Sequence, residues 1–119
     1  MGLEYRAMGV GGKCITILGV VDFCVKEQYR GKGVGSSMLV YLDQYAKDKQ
    51  VDFVILISEF GTIYSKCGYN NVPAEHTWLK VHEHKNYGVG QERIDEFYVK
   101  AVGKKEWPKG VVDWLGYMF

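Results

Sequence analysis

Val25 to Ser37 reads VKEQYRGKGVGSS. A short apolar run, Val20 to Val25, leads into a polar turn that ends in Arg30-Gly31-Lys32-Gly33-Val34-Gly35, and an amphipathic stretch follows at once. Glycine lets the backbone take positive φ and approach a ligand closely. The first N–H groups of a helix lack intrahelical partners and would face that turn. The helix dipole adds partial positive charge there, and Arg30 and Lys32 add full charges. Together these make a site for an anion, a phosphate or pyrophosphate. A glycine-rich turn that only starts a helix is the alternative, and the strand before and helix after favour the anion site.

Two other glycine loops are excluded. No Lys-Ser or Lys-Thr closes the stretch as G-x-x-x-x-G-K requires, and Ser36 holds the place of the third glycine in G-x-G-x-x-G. Working outward, alternation from Leu3 to Val10 predicts a strand, Gly9-Val10-Gly11-Gly12 a turn, and Cys14 to Leu18 a second strand of the same hairpin. Gly19 is expected to end that strand, with Val20 to Val25 as a third whose one charge is Asp22. Val34, Met38, Leu39, Leu42, Tyr45 and Ala46 recur at three- and four-residue spacing, which predicts a helix ending near Asp48. The nearly unbroken apolar run Val51 to Ile57 suits a central strand covered on both faces. A short helix over Gly61 to Cys67, capped by Gly68, is expected next. Then come a strand from Thr77 to His82, a loop from Glu83 to Gln91, a strand from about Asp95 to Val102, and a tail from Lys104 to Phe119.

The 119 residues are read as one domain, with a core over about 3–102 and a tail over 103–119. A hydrophobic fraction of 47% can fill a core, and a net charge of +1 gives no ground for bulk nucleic-acid binding. Cys14, Cys24 and Cys67 are odd in number and widely spaced, which points to a reducing, cytoplasmic compartment. The start MGLEYRAMGVGGK has no apolar signal region, and no apolar run nears ~18 residues, so neither signal peptide nor membrane span is expected. No Ser or Thr stands at the sixth position, so N-myristoylation is not indicated.

Arg30, Gly33 and Gly35 fill the pattern Q/R-x-x-G-x-G/A. This resembles the acyl-CoA pyrophosphate loop of the GCN5-related N-acetyltransferase (GNAT) superfamily. IYSKCGYNNV, Ile63 to Val72, is similar to that family's later F-Y-x-x-x-G-F/Y segment, and both motifs stand in the family's order and distance. The resemblance covers roughly residues 3–102. It implies an α/β fold with a mixed, mostly antiparallel central sheet and flanking helices. The family's usual first strand and one or two helices have no counterpart before Leu3, so the fold is expected as an N-terminally shortened variant. An exposed first strand would be an edge, and edges pair, so a homodimer that completes the acceptor wall is expected.

By the same resemblance the chain is an acetyl-CoA-dependent N-acetyltransferase. It would move an acetyl group to a primary amine of a small molecule by direct attack in a ternary complex. No metal is implied, and neither nucleic acid nor membrane is an expected partner. A catalytically degenerate CoA-binding or protein-interaction module is the alternative. Backbone groups of Phe23, Cys24 and Val25 would hold pantetheine, and Arg30, Gly31, Lys32, Gly33, Val34, Gly35 and Ser36 the pyrophosphate. Tyr64 takes the place of the tyrosine that donates to the CoA sulfur, a sensible role for a phenol of pKa ~10. Packing on the sheet is the other reading of Tyr64. Asp22 is the candidate base and acceptor contact, although the family often sets that carboxylate one residue earlier, and a one-residue slip turns a side chain to the other face. A solvent-exposed strand position is the other reading of Asp22.

Glu59 and Glu75 are reserve carboxylates near the expected acceptor cleft. The ending VVDWLGYMF faintly resembles that of aminoglycoside 2'-N-acetyltransferases, which implies Asp113 and Trp114 as acceptor contacts, with the Phe119 carboxylate beside them. Anchoring of Trp107, Trp114 and Tyr117 on the core is the alternative. His82-x-His84, near His76, lacks a third ligand at known spacing and reads as a solvated strand end. Cys67 as a nucleophile has no histidine to activate it.

Overall fold

A computed structural model describes residues 2–21, 34–58, 64–82 and 85–118 of the chain. The elements are β1 (Gly2–Val10), β2 (Lys13–Val21), α1 (Val34–Asp48), β3 (Phe53–Ile57), β4 (Asn70–Asn71), β5 (Ala74–His82), β6 (Lys85–Ile94), β7 (Phe97–Ala101) and β8 (Val112–Asp113). One sheet takes all eight strands in the order β4-β7-β3-β2-β1-β8-β5-β6. Its pairs are antiparallel except β2 with β3 and β5 with β8. This is the mixed, mostly antiparallel sheet expected, with α1 as the one long helix among the described residues.

The connections require that sheet to curl. β4 and β5 stand six places apart in the order, which would be ~29 Å in a flat sheet. Yet only three peptide steps separate Asn71 from Ala74, a reach of ~11 Å. The step from Ile94 to Phe97 imposes the same closure on β6 and β7. Inside the curl pack Met8, Val10, Ile15, Ile17, Phe53, Ile55, Ile94, Phe97, Val99, Val112 and Trp114. The outer face carries Leu18, Val20, Val54 and Leu56, and Leu39, Leu42 and Ala46 of α1 cover it. Those three helix residues share one face at three- and four-residue spacing, and each buried leucine contributes about 2 kcal/mol.

The end of α1 sets the approach to β3. Gln50 takes φ of 57°, its N–H donates to Lys47 O, and Val51 N–H donates to Ala46 O. This Schellman closure turns the chain and delivers Val51, 3% exposed, to the α1 core. Asp52 then staples β3 to β2. Its Oδ2 accepts from Thr16 N–H at 3.0 Å, and its own N–H donates to Thr16 O at 3.0 Å. Burial would raise the Asp52 carboxyl, but the Thr16 N–H and Lys105 outweigh it and hold the group below the usual carboxylate value.

Four expectations need correction. Gly19 does not end a strand: β2 runs unbroken to Val21, with Gly19 paired to Glu4 on one side and Ile55 on the other. Two neighbouring ladders hold a glycine in place that lacks strand propensity of its own. The loop expected over Glu83 to Gln91 is mostly β6, which pairs with β5 from Lys85 onward. β1 is no edge, since β2 flanks it on one side and β8 joins it on the other at Gly9 and Val10. The segment read as a tail supplies β8 and the fully buried Trp114 to the sheet and its core. Among the described residues, no helix is long and apolar enough to cross a membrane.

Candidate functional site

The parallel β2–β3 ladder runs from Ile17↔Phe53 through Leu18↔Val54 to Gly19↔Ile55 and stops there. Both strands continue. β2 stays paired to β1 as far as Gly2↔Val21, and β3 stays paired to β7 as far as Ile57↔Phe97. The two central strands, stapled at Asp52, therefore part at their C-terminal ends and leave inward backbone groups of Val20, Val21, Leu56 and Ile57 without each other as partners. A backbone so exposed can pair with an extended ligand.

α1 is the crossover between these parallel strands, so it runs opposite to them and its N-terminus lies at the opened end. Val34, Gly35 and Ser36 open that helix, and its first turn carries no acidic residue to repel an anion. Asp22, Phe23, Cys24, Val25, Arg30, Gly31, Lys32 and Gly33 lie outside the described residues, as does Glu59.

Tyr64 begins the turn after β3 and is 6% exposed. It shares a cluster with Val20 and Leu56, which flank the opening, and with Leu39 of α1. Its carbonyl accepts from the N–H groups of Cys67 at 2.9 Å and Tyr69 at 3.1 Å, while Gly68 N–H reaches Ser65 O. Gly68 sits at φ 90°, so the expected C-cap is present as a second Schellman closure. The Tyr69 ring meets Tyr64 edge-on at 6.0 Å. The Tyr69 hydroxyl is buried without a hydrogen-bond partner, and burial, with Asp43 adding to it, pushes its pKa well above the usual phenol value.

Asp113 and Trp114 lie elsewhere. Asp113 pairs with Gly9, which faces Cys14, five residues or ~17 Å along β2 from Gly19. Its carboxylate accepts from Leu115 N–H. Trp114 is 0% exposed, with its indole N–H donating to His76 Nδ1 at 3.0 Å, so it offers no face to an incoming ring. The core-anchoring reading fits Trp114. Glu75, on β5, is likewise remote from the opening in the sheet order. Among the described residues no cluster of His, Cys, Asp and Glu could hold a metal ion.

Sequence reasoning missed Glu4 and Lys100. Glu4 is level with Gly19, the last residue of β2 that pairs with β3, and shares the inner face with Arg6 and Met8. Its Oε1 accepts from the Tyr117 hydroxyl at 3.1 Å, and Arg6 binds the carbonyls of Trp114 and Tyr117 at 2.6 Å each. The tail thus returns along β1 toward the opening. No spacing in the sequence signals this, because it depends on the curl of the sheet.

Comparisons with known proteins bear on this geometry. No curated protein matches the chain. Residues 2–72 match the family model described as Acetyltransferase (GNAT) domain. A GNAT family N-acetyltransferase from Escherichia coli, solved in complex with CoA, is 14% identical, covers 94% of this chain and 58% of its own, and has a TM-score of 0.62. A GCN5-related N-acetyltransferase from Anabaena variabilis is 22% identical over 64% of this chain and 20% of its own, with a TM-score of 0.55. The ribosomal-protein-S18-alanine N-acetyltransferase from E. coli is 15% identical over 89% of this chain and 74% of its own, with a TM-score of 0.52. The chain therefore spans a fifth to under three fifths of the first two proteins, and these likenesses bear on fold. Since the family model takes in more than half of the chain, this protein belongs to the GNAT acetyltransferase family.

Proposed function

We propose that this chain binds acetyl-CoA across the opened end of β2 and β3 and transfers the acetyl group to a primary amine of a small molecule. One observation carries the proposal. The β2–β3 ladder ends at Gly19↔Ile55, at the end of the sheet where α1 begins and where Tyr64 packs beside Val20 and Leu56. A pantetheine arm, which carries amides, suits parted strand edges, and a pyrophosphate suits the N-terminus of α1 with Arg30 and Lys32.

The amine displaces the thiol directly: a C–N bond forms at the acetyl carbon and the C–S bond breaks. Backbone N–H groups at Phe23 to Val25 would stabilise charge on the acetyl oxygen. Tyr64 would give its phenolic proton to the departing sulfur. Asp22, directly or through water, would take the proton the amine loses, with Glu59 in reserve. Glu4, level with Gly19 on the inner face, is the described carboxylate best placed to face the acceptor. A homodimer that completed the acceptor wall would pair through β6 or β4, the two ends of the sheet order, and light scattering at high concentration reads its mass. A cytoplasmic setting, with cysteines kept reduced, completes the proposal.

The test is a thiol-release assay with acetyl-CoA and a panel of amines: 1,5-diaminopentane, tyramine, glucosamine and a short peptide with a free N-terminus. Turnover on a small amine that falls ~100-fold in Tyr64→Phe, with acetyl-CoA binding kept, is expected. Binding without turnover on any amine would instead favour the non-catalytic module.

A further inference from the structure

Lys100 lies on β7, opposite Val54, on the face that α1 covers. Its ammonium donates to Asp43 Oδ2 of α1 at 2.6 Å and to the carbonyl of Cys67 at 2.8 Å. It also stands 5.6 Å from the centre of the Tyr69 ring. The side chains of Lys100 and Asp43 are about three quarters buried, at 25% and 26% exposure, so water screens the pair only in part. One cation thus ties three elements: the strand β7, the helix that opens at the glycine loop, and the turn that begins at Tyr64.

The turn also meets α1 through Tyr64, which packs in one cluster with Leu39. Its internal hydrogen bonds run to Tyr64 O and Ser65 O, and the β4–β7 pair Asn70↔Val99 fastens it to the sheet. Fastening to the sheet fixes its height, and Lys100 adds to that packing a directional polar tie between the turn and the helix. Gly68 is part of the fit. A Cβ added there would come within 3.3 Å of Lys100 Cε, so a side chain on the residue that closes the turn would crowd the lysine that lies across it.

We infer that Lys100 is a positioning residue: by gripping Asp43 and Cys67 O together it sets the distance between the α1 end of the site and the Tyr64 phenol. That distance is a requirement of the chemistry. A ligand held at the N-terminus of α1 by its pyrophosphate reaches the opening with its sulfur at a fixed length, and the proton donor must meet the sulfur there. An error of about 1 Å in such a placement can cost on the order of 100-fold in rate while binding at the anchored end is unchanged. The inference rests on the proposed role of Tyr64 as proton donor.

The experiment is a double-mutant cycle on the full chain, with kcat from thiol release on the best amine of the panel and acetyl-CoA affinity from calorimetry. Lys100→Met is expected to lower kcat about tenfold or more and to leave the acetyl-CoA Kd within about twofold. In a Tyr64→Phe background the same substitution should lower kcat no further, since there is no phenol left to misplace. Asp43→Asn, which keeps the volume and removes the charge, should reproduce the effect if Lys100→Met folds poorly. Lys105→Met removes an exposed ion pair with Asp52 and should leave kcat unaltered. Equal kcat losses from Lys100→Met with and without Tyr64, or a raised Kd at normal kcat, would show a packing or binding role and overturn the inference. An unchanged kcat in Tyr64→Phe alone would overturn the proton-donor assignment, and the positioning role with it.

Discussion

Acid should unfold this protein through one imidazole. His76 is 0% exposed, packs edge-on against Phe97 at 4.6 Å, and accepts the Trp114 indole N–H at Nδ1. An acceptor at Nδ1 places the ring proton at Nε2, which is buried without a partner, so the side chain is neutral. Burial pushes its pKa from 6.5 down to about 4. Between these values the unfolded chain binds a proton that the folded chain refuses, so stability rises with pH across that window. It is fully present above 6.5 and is lost as pH falls toward 4, and 2.5 pH units correspond to about 3 kcal/mol. For a chain of this size that is a fall of roughly 10 °C in Tm. The assay is thermal or urea unfolding at pH 7.5, 5.5 and 4.2 of the wild type and His76→Leu. The variant loses the acceptor of the Trp114 N–H, a cost of about 1–3 kcal/mol that does not depend on pH. Its additional loss between pH 7.5 and 4.2 should be about 3 kcal/mol smaller than that of the wild type. Equal losses in the two proteins would refute the reasoning.

Gln50→Gly should raise stability by about 1 kcal/mol in urea unfolding, because glycine takes the φ of 57° without a Cβ penalty. Gly11→Ala should lower it by more than ~2 kcal/mol, since φ is 56° and a Cβ would run into the Lys109 carbonyl. Tyr69→Phe should be neutral to about 1 kcal/mol stabilising by the same measurement, because it removes a buried hydroxyl that has no partner. Leu42→Ala should cost about 2–5 kcal/mol, the usual result of emptying a fully buried leucine site.

What could be read in the sequence followed the strength of local signals. The periodicity of α1 and the C-cap at Gly68 each depend on neighbours within a few residues, and each stands where expected; residues 30–33 of the glycine loop lie outside the described residues. Gly19 misled because a strand interior disfavours glycine locally, while two flanking ladders hold it in place. β6 misled for a related reason. Its Gly88 and Gly90 look like loop punctuation, yet a Cβ at Gly90 would come within 2.6 Å of Trp78 Cε2, so that glycine makes room for a ring on the paired strand. The resemblance left Trp114 between an acceptor contact and a core anchor, and nothing around His76 in the sequence assigned it a role. They satisfy each other inside the curled sheet through residues 38 apart in sequence, a pairing that no local pattern encodes. The contact of Glu4 with Tyr117 was least legible, because the two meet only after the tail has returned along β1.

The central claim is that the glycine loop at the opened end of β2 and β3 holds acetyl-CoA. A calorimetric titration of acetyl-CoA into the wild type and into Gly33→Glu, both verified as folded, tests it most directly. The account predicts saturable binding to the wild type and none to the variant, where a carboxylate would stand in the phosphate cradle. No binding to the wild type, or equal binding to both, would contradict it.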